Sequence, residues 1–272
     1  MNLTKSNPSG LSASVSCPSC FNTCNLSEAP ACNECGYQFP ASELASYNQQ
    51  PACNIGDVSS GPVKLAVTVT LGFTIDGTGS SKAFEIGIPK TVIRICEKVQ
   101  AKAKNVFVSV QQHGDDEYGE MPVMLVEGKQ DISLVTKAIS AITYAGGFDR
   151  DETHLNAILN LMNTVPFPSS EKVGRGAIIA LTTADSKLPK DKSIDDIAKE
   201  IVEKNLLLYL VSEAEPNMMK LAEKVKDYGG FSYFMAITNN PSEKELGIIA
   251  DKIAASIIQT MSGAASGTLQ QV

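Results

Sequence analysis

The 272-residue chain has no tryptophan, only 6% aromatic residues, and only two histidines, His113 and His154. So few aromatics leave little with which to build base-stacking platforms. No apolar run approaches the roughly 20 residues that a membrane-spanning helix requires, so no membrane association is expected. The first ten residues are polar and lack the apolar centre of a secretory signal, so the expected location is the cytoplasm. Basic charge is also scarce. Lysine and arginine number 23 against 30 acids, for a net charge of -7, and they form no dense stripe. An acidic surface is repelled by phosphate backbones, so direct contact with nucleic acid is not expected. The shortage is sharpest over residues 1–62, where Lys5 is the one basic residue.

What is present is an ordinary globular composition, 43% hydrophobic and 19% charged, enough to bury a core. The seven cysteines are unevenly placed. Cys17, Cys20, Cys24, Cys32 and Cys35 crowd one segment, Cys53 stands in a Ser/Gln/Asn/Pro-rich stretch, and Cys96 lies on an apolar helical stripe. Cys17-Pro-Ser-Cys20 and Cys32-Asn-Glu-Cys35 are two Cys-x-x-Cys turns separated by eleven residues. Each turn offers two thiolates, and two facing turns close a tetrahedral site for Zn²⁺. Four thiolates leave no open position, so such a zinc is structural rather than catalytic. Clustered pairs of this kind point to metal ligation in a reducing compartment rather than to disulfides. The segment 15–40 resembles a short zinc ribbon, with Cys24 as a spare thiol. Residues 1–14 are expected to be disordered, 41–62 to be a linker, and 263–272 a flexible tail.

From Val63 the pattern changes to apolar strand-like runs alternating with amphipathic helical segments. Strands are expected at 63–75, 105–110, 122–126, 177–183, 206–211 and 231–237. Helices are expected at 82–103, 132–142, 153–163 and 217–227, with capping boxes at Ser193/Asp196 and Ser242/Glu245 opening two more. Pro89 is expected to kink or restart the first helix, and Gly174-Arg175-Gly176 to form a turn. The alternation predicts an α/β fold, a doubly wound and mostly parallel Rossmann-like sheet with one antiparallel edge strand from the hairpin at 114–126. Ligands of such sheets bind at the carboxyl ends of the strands, at the switch point.

That rule directs attention to Asp76-Gly77-Thr78-Gly79-Ser80, after the first strand. A phosphate-binding P-loop requires a lysine following its glycines, which is not the arrangement here. A phosphotransferase of the haloacid dehalogenase type places its nucleophilic aspartate two residues earlier, at Thr74. The Asp-x-Thr-x-Ser pattern instead offers a carboxylate and two hydroxyls at alternate positions, a hard-oxygen face suited to Mg²⁺. With this pattern, residues 63–262 resemble a von Willebrand factor A (VWA) domain, whose metal-ion-dependent adhesion site carries Asp-x-Ser-x-Ser at this point. Residues 145–152 (AGGFDRDE) resemble the second loop of that site, and 181–185 (LTTAD) the third. The resemblance implies Asp76, Thr78 and Ser80 as ligands, with Asp149 and Asp185 from the other loops. Phe148 stands where many A domains place a metal-contacting threonine, and Ala184 where the third-loop aspartate is usual. A second reading of the same residues has a vestigial site, with Asp76 and Ser80 capping the following helix.

The resemblance implies a non-enzymatic adaptor. Its A domain would bind a partner protein, an AAA+ ATPase, kinase or phosphatase of a bacterial stress or defence system, through a metal-bridged carboxylate. Two alternatives stand beside it: a subunit of a transcription or repair machine, and a metal-dependent hydrolase. The hydrolase reading needs a general base. His113, ahead of the acidic turn Asp115-Asp116-Glu117, is read instead as part of a solvated polar turn, and the loop at Asp76 as exposed and polar.

Overall fold

In the computed structural model the described residues are 14–16, 23–25, 31, 38, 64–148, 151–168, 174–238 and 240–265. The chain divides into two units, Met1–Gly61 and Pro62–Val272. In the first, β1 (Ser14–Ser16) pairs antiparallel with β2 (Thr23–Asn25), and a separate antiparallel bridge joins Ala31 to Gln38. Cys17, Cys20, Cys32 and Cys35, the expected zinc ligands, lie outside the described residues.

The second unit is an α/β sandwich. Its strands are β3 (Leu65–Asp76), β4 (Ala103–His113), β5 (Val123–Lys129), β6 (Gly174–Leu181), β7 (Leu206–Ser212) and β8 (Phe231–Ala236). They form one sheet in the order β5-β4-β3-β6-β7-β8. All neighbouring pairs are parallel except β4 with β5, the antiparallel edge pair expected from the hairpin. The helices are α1 (Gly87–Gln100), α2 (Ile132–Ile139), α3 (His154–Thr164), α4 (Ile194–Glu203), α5 (Pro216–Asp227) and α6 (Glu243–Ala265). None of the described helices is long and apolar enough to cross a membrane.

Strand alternation sends successive side chains to opposite faces, and two cores result. On one face Leu71, Phe73 and Ile75 of β3 and Val108 and Val110 of β4 pack under α1, α2 and α6. On the other, Ile178 and Ala180 of β6 and Leu208 and Leu210 of β7 pack under α3, α4 and α5. The sheet is therefore covered on both sides, which explains why its central strands read as near-continuous apolar runs.

Two sequence expectations change. The segment 82–103 is not one helix. A 3₁₀ turn (Gly79–Phe84) precedes α1, which starts at Gly87 with Pro89 in its first turn, where a missing N–H costs nothing, and β4 already begins at Ala103. Gly174-Arg175-Gly176 is strand, paired with Thr68, Val69 and Thr70 of β3. The glycine at 176 is there for closeness rather than for turning: a Cβ would come within 2.9 Å of the Phe167 ring.

Candidate functional site

The strand order reverses between β3 and β6, so the carboxyl ends of these two neighbours frame the switch point. Ile75 is in register with Leu181, which sets Asp76 beside Thr182 and Thr183. Asp76 is fully buried, contrary to the expectation of an exposed loop. Its Oδ1 accepts from the Thr78 amide at 2.9 Å and the Thr78 hydroxyl at 2.7 Å. Its Oδ2 accepts from the Ser81 hydroxyl at 2.6 Å and, at longer range, from Thr182 at 3.4 Å and Thr183 at 3.5 Å. Burial works to raise the pKa of this carboxyl. The charge that His154 or His113 would carry when protonated, together with the bonds from Ser81 and Thr78, works the other way, and the group is held below the ordinary carboxylate range.

Three hydroxyl oxygens converge above that carboxylate. Thr78 Oγ1 lies 2.9 Å from Ser80 Oγ, and Ser80 Oγ lies 3.3 Å from Thr183 Oγ1. Ser80 is exposed, Thr183 half-buried and Thr78 buried, so the group opens to solvent at one side. The 3₁₀ turn takes Thr78 as its N-cap residue without a side-chain capping bond, so the hydroxyl of Thr78 is directed at Asp76 instead of at the helix.

The second loop lies against the first. The Ala145 amide donates to Gly77 O at 2.9 Å, and the Gly79 amide to Gly146 O at 3.1 Å. Gly146 and Gly147 adopt φ of 86° and 70°, where side chains are strained, and a Cβ at Gly147 would come within 3.0 Å of Thr78 Cβ. Phe148 supplies no oxygen. It is 69% exposed and tilts against Tyr118 with ring centroids 4.8 Å apart. Asp149 lies outside the described residues.

Asp185 is not brought to Asp76 by any hydrogen bond. Its carboxylate accepts from the amides of Asn217 at 3.0 Å and Met218 at 3.3 Å, capping the start of α5. A carboxylate at a helix N-terminus satisfies amides that have no intrahelical partner. The residues that approach Asp76 from the third loop are Thr182 and Thr183, the two positions after β6, which sequence reasoning passed over as ligands. The signal for them was the strand register itself.

The histidines are also placed otherwise than expected. His113 is 2% exposed and His154 fully buried. Thr74 Oγ1 lies 2.8 Å from His113 Nδ1, His113 Nε2 lies 2.7 Å from His154 Nδ1, and His154 Nε2 bonds Thr182 Oγ1. Burial, reinforced by His154, pushes the His113 pKa down to about 3, against the pull of Asp76. Burial likewise lowers that of His154. The acidic turn after His113 is solvated at its tip, where Glu117 and Tyr118 are exposed, and tied down at its base, where Asp115 is buried. Thr153 donates to Gly114 O at 2.9 Å, Asn156 donates to Asp116 at 2.5 Å, and Lys187 pairs with Asp115 at 2.5 Å.

Among the described residues no group of three or more His, Cys, Asp or Glu side chains is placed to hold a metal ion. The site is thus one carboxylate with hydroxyls. Mg²⁺ binds such oxygens at 2.0–2.1 Å in an octahedron, which puts neighbouring ligands about 2.9 Å apart. The separations of 2.9 and 3.3 Å among Thr78, Ser80 and Thr183 are those of hydrogen-bonded hydroxyls and leave these oxygens close enough together to share one cation. No protein-family model matches this chain, and no curated protein matches its sequence.

Proposed function

We propose that residues 63–262 act as a VWA-like interaction domain that binds a partner protein through a divalent cation, Mg²⁺, at the Asp76 loop. The observation that carries this reading is the convergence of the Thr78, Ser80 and Thr183 hydroxyls over one buried carboxylate at the switch point of the sheet. In this reading the ligand set takes Thr183 and leaves out Asp185, which is committed to α5. When bound, Mg²⁺ supplies a hard positive centre with positions left to water, one of which a partner carboxylate can take. Few protein oxygens and a single negative charge make the cation weakly held, so partner and metal strengthen each other's binding by linkage.

The reading is of an adaptor rather than an enzyme. The two histidines, the most obvious bases, are buried and bonded to one another beneath the site instead of facing its open side. The N-terminal segment completes the proposal as a structural zinc ribbon held by Cys17, Cys20, Cys32 and Cys35, whose metal-bound rather than disulfide-paired cysteines suit the cytoplasm. The pairing of β1 with β2 and the Ala31–Gln38 bridge each bracket one Cys-x-x-Cys pair in sequence, which supports it. An AAA+ ATPase, kinase or phosphatase is the partner class that the VWA resemblance implies.

The test is affinity capture with the full chain in Mg²⁺ and in EDTA, paired with elemental analysis. The expected outcome is a partner retained in Mg²⁺, released by EDTA and not captured by Ser80→Ala, with one zinc per chain that Cys32→Ser loses. Capture indifferent to EDTA and to Ser80→Ala contradicts the cation reading, and zinc-free protein contradicts the ribbon.

A further inference from the structure

Beneath the site, a file of buried polar side chains runs from α3 to Asp76, and its hydrogen bonds can be directed from their ends. Gln111, fully buried on β4, sets the first direction. One end of its amide lies 2.6 Å from the carbonyl oxygen of Ala157, which can only accept, so that end is the NH₂. The same NH₂ donates to Thr74 Oγ1 at 3.0 Å, and the amide oxygen accepts from Asn160 at 2.8 Å. The Thr74 hydroxyl, already an acceptor, is left to donate to His113 Nδ1. His113 therefore carries its proton on Nε2 and donates to His154 Nδ1. His154 in turn carries its proton on Nε2 and donates to Thr182. The Thr182 proton is then free to point at Asp76 Oδ2, 3.4 Å away.

The opposite sense leaves the file unsatisfied at its Thr74 end. Thr74 would receive two donors and find no acceptor for its own proton. Thr182 would spend its proton on His154 and offer none to the carboxylate. A buried polar group without a partner costs about 1–3 kcal/mol, so the first sense is the stable one.

We infer that His113 and His154 are positioning residues: two neutral imidazoles, both in the Nε2–H form, that relay a donor through Thr182 to Asp76 and fix that carboxylate for its cation. This rests on the cation reading given above. It gives the histidines a role without placing either in contact with the ligand. Their displaced pKa values agree, since burial keeps both uncharged at neutral pH. Partners that orient a metal ligand from behind commonly set affinity as strongly as the ligands do.

Nitrogen NMR of the full chain tests the relay first. Long-range proton–nitrogen correlations are expected to place both imidazoles in the neutral Nε2–H form. An Nδ1–H form, or a charged ring, at either position at pH 7 overturns the inference. The second arm severs the file without touching a histidine. Thr182→Val is expected to weaken Mg²⁺ binding by calorimetry about tenfold, while Thr182→Ser retains it, with thermal unfolding confirming that both variants fold. Mg²⁺ affinity unchanged in Thr182→Val overturns the inference. Should the wild-type chain take up no Mg²⁺ at all, the cation reading falls, and the tautomers alone decide whether the relay exists.

Discussion

The two faces of β3 and β4 differ in kind. Toward α1 and α6 the pair presents Leu71, Phe73, Ile75, Val108 and Val110, an unbroken apolar surface. Toward α3 the same two strands present Thr70, Thr74, Asp76, Ser109, Gln111 and His113, all buried. Two strands thus carry a hydrophobic wall on one side and a hydrogen-bonded polar interior on the other. The apolar face needs only volume and shape, because dispersion and burial have no direction. The polar face needs each donor matched to an acceptor, since an unmatched buried group costs as much as a good bond contributes. The apolar core of the α3 side is built instead from β6 and β7, one strand further across the sheet. The molecule therefore places its stability on one side of β3 and its chemistry on the other, with the site where the polar side reaches the surface.

The sharpest way to break this contrast is to cut into the apolar side. Phe73→Ala is expected to destabilise the fold by about 3–5 kcal/mol in urea denaturation, the usual range for emptying a buried ring. The surviving folded fraction should keep its Mg²⁺ affinity. A loss of stability below about 1 kcal/mol would mean that this face is not the main support.

On the polar side the effect should be smaller and of another origin. Asp76→Asn keeps the shape but turns an acceptor of several hydroxyl and amide bonds into a group that is half donor. It is expected to cost about 1–3 kcal/mol and to abolish cation binding. The expectation from sequence alone, an exposed polar loop whose substitution leaves the fold intact, is revised because the carboxylate has no accessible surface. Denaturation of the variant at wild-type midpoint would restore the older view.

A third effect is one of pH. Both histidines have folded-state pKa values below the ordinary 6.5, His113 down to about 3. Between those values the unfolded chain binds protons that the folded chain refuses, so stability rises with pH in that window. The contribution of His113 is complete above about pH 6.5 and is lost as pH falls toward 3, and that of His154 is lost in the same direction. Urea titrations at pH 7.5, 6 and 5 should show the decline, and a flat stability from 7.5 to 5 would mean that the pair titrates normally.

Much of this was legible in the sequence, and the gaps have physical causes. The strand–helix alternation and the hairpin specify the sheet and its antiparallel edge, because burial on both faces leaves its mark in apolar runs. The capping box at Ser193 forms as read, with Ser193 and Asp196 bonding each other's amides at 3.0 and 3.2 Å. The one at Ser242 forms with Glu245. Asp76, Thr78 and Ser80 are legible as a group because alternate positions in one loop bring their oxygens together. The pairing of His113 with His154, 41 residues apart, has no local trace, since only the packing of α3 on β4 brings them together. Thr183 was hidden by a neighbouring aspartate that seemed chemically better suited. Asp185 has the right charge but lies beyond the strand end, where the start of α5 claims it. Gly174 and Gly176 imitate a turn because close approach to Phe167 and Pro168, like turning, selects glycine.

The central claim is that a divalent cation sits on the hydroxyls above Asp76. The measurement that meets it most directly is calorimetric titration of the full chain with Mg²⁺, beside Ser80→Ala, whose side chain is exposed and whose loss should spare the fold. The account predicts one saturable Mg²⁺ site in the wild type, weakened about tenfold or more in the variant. Absence of saturable binding, or equal binding by both proteins, would contradict it.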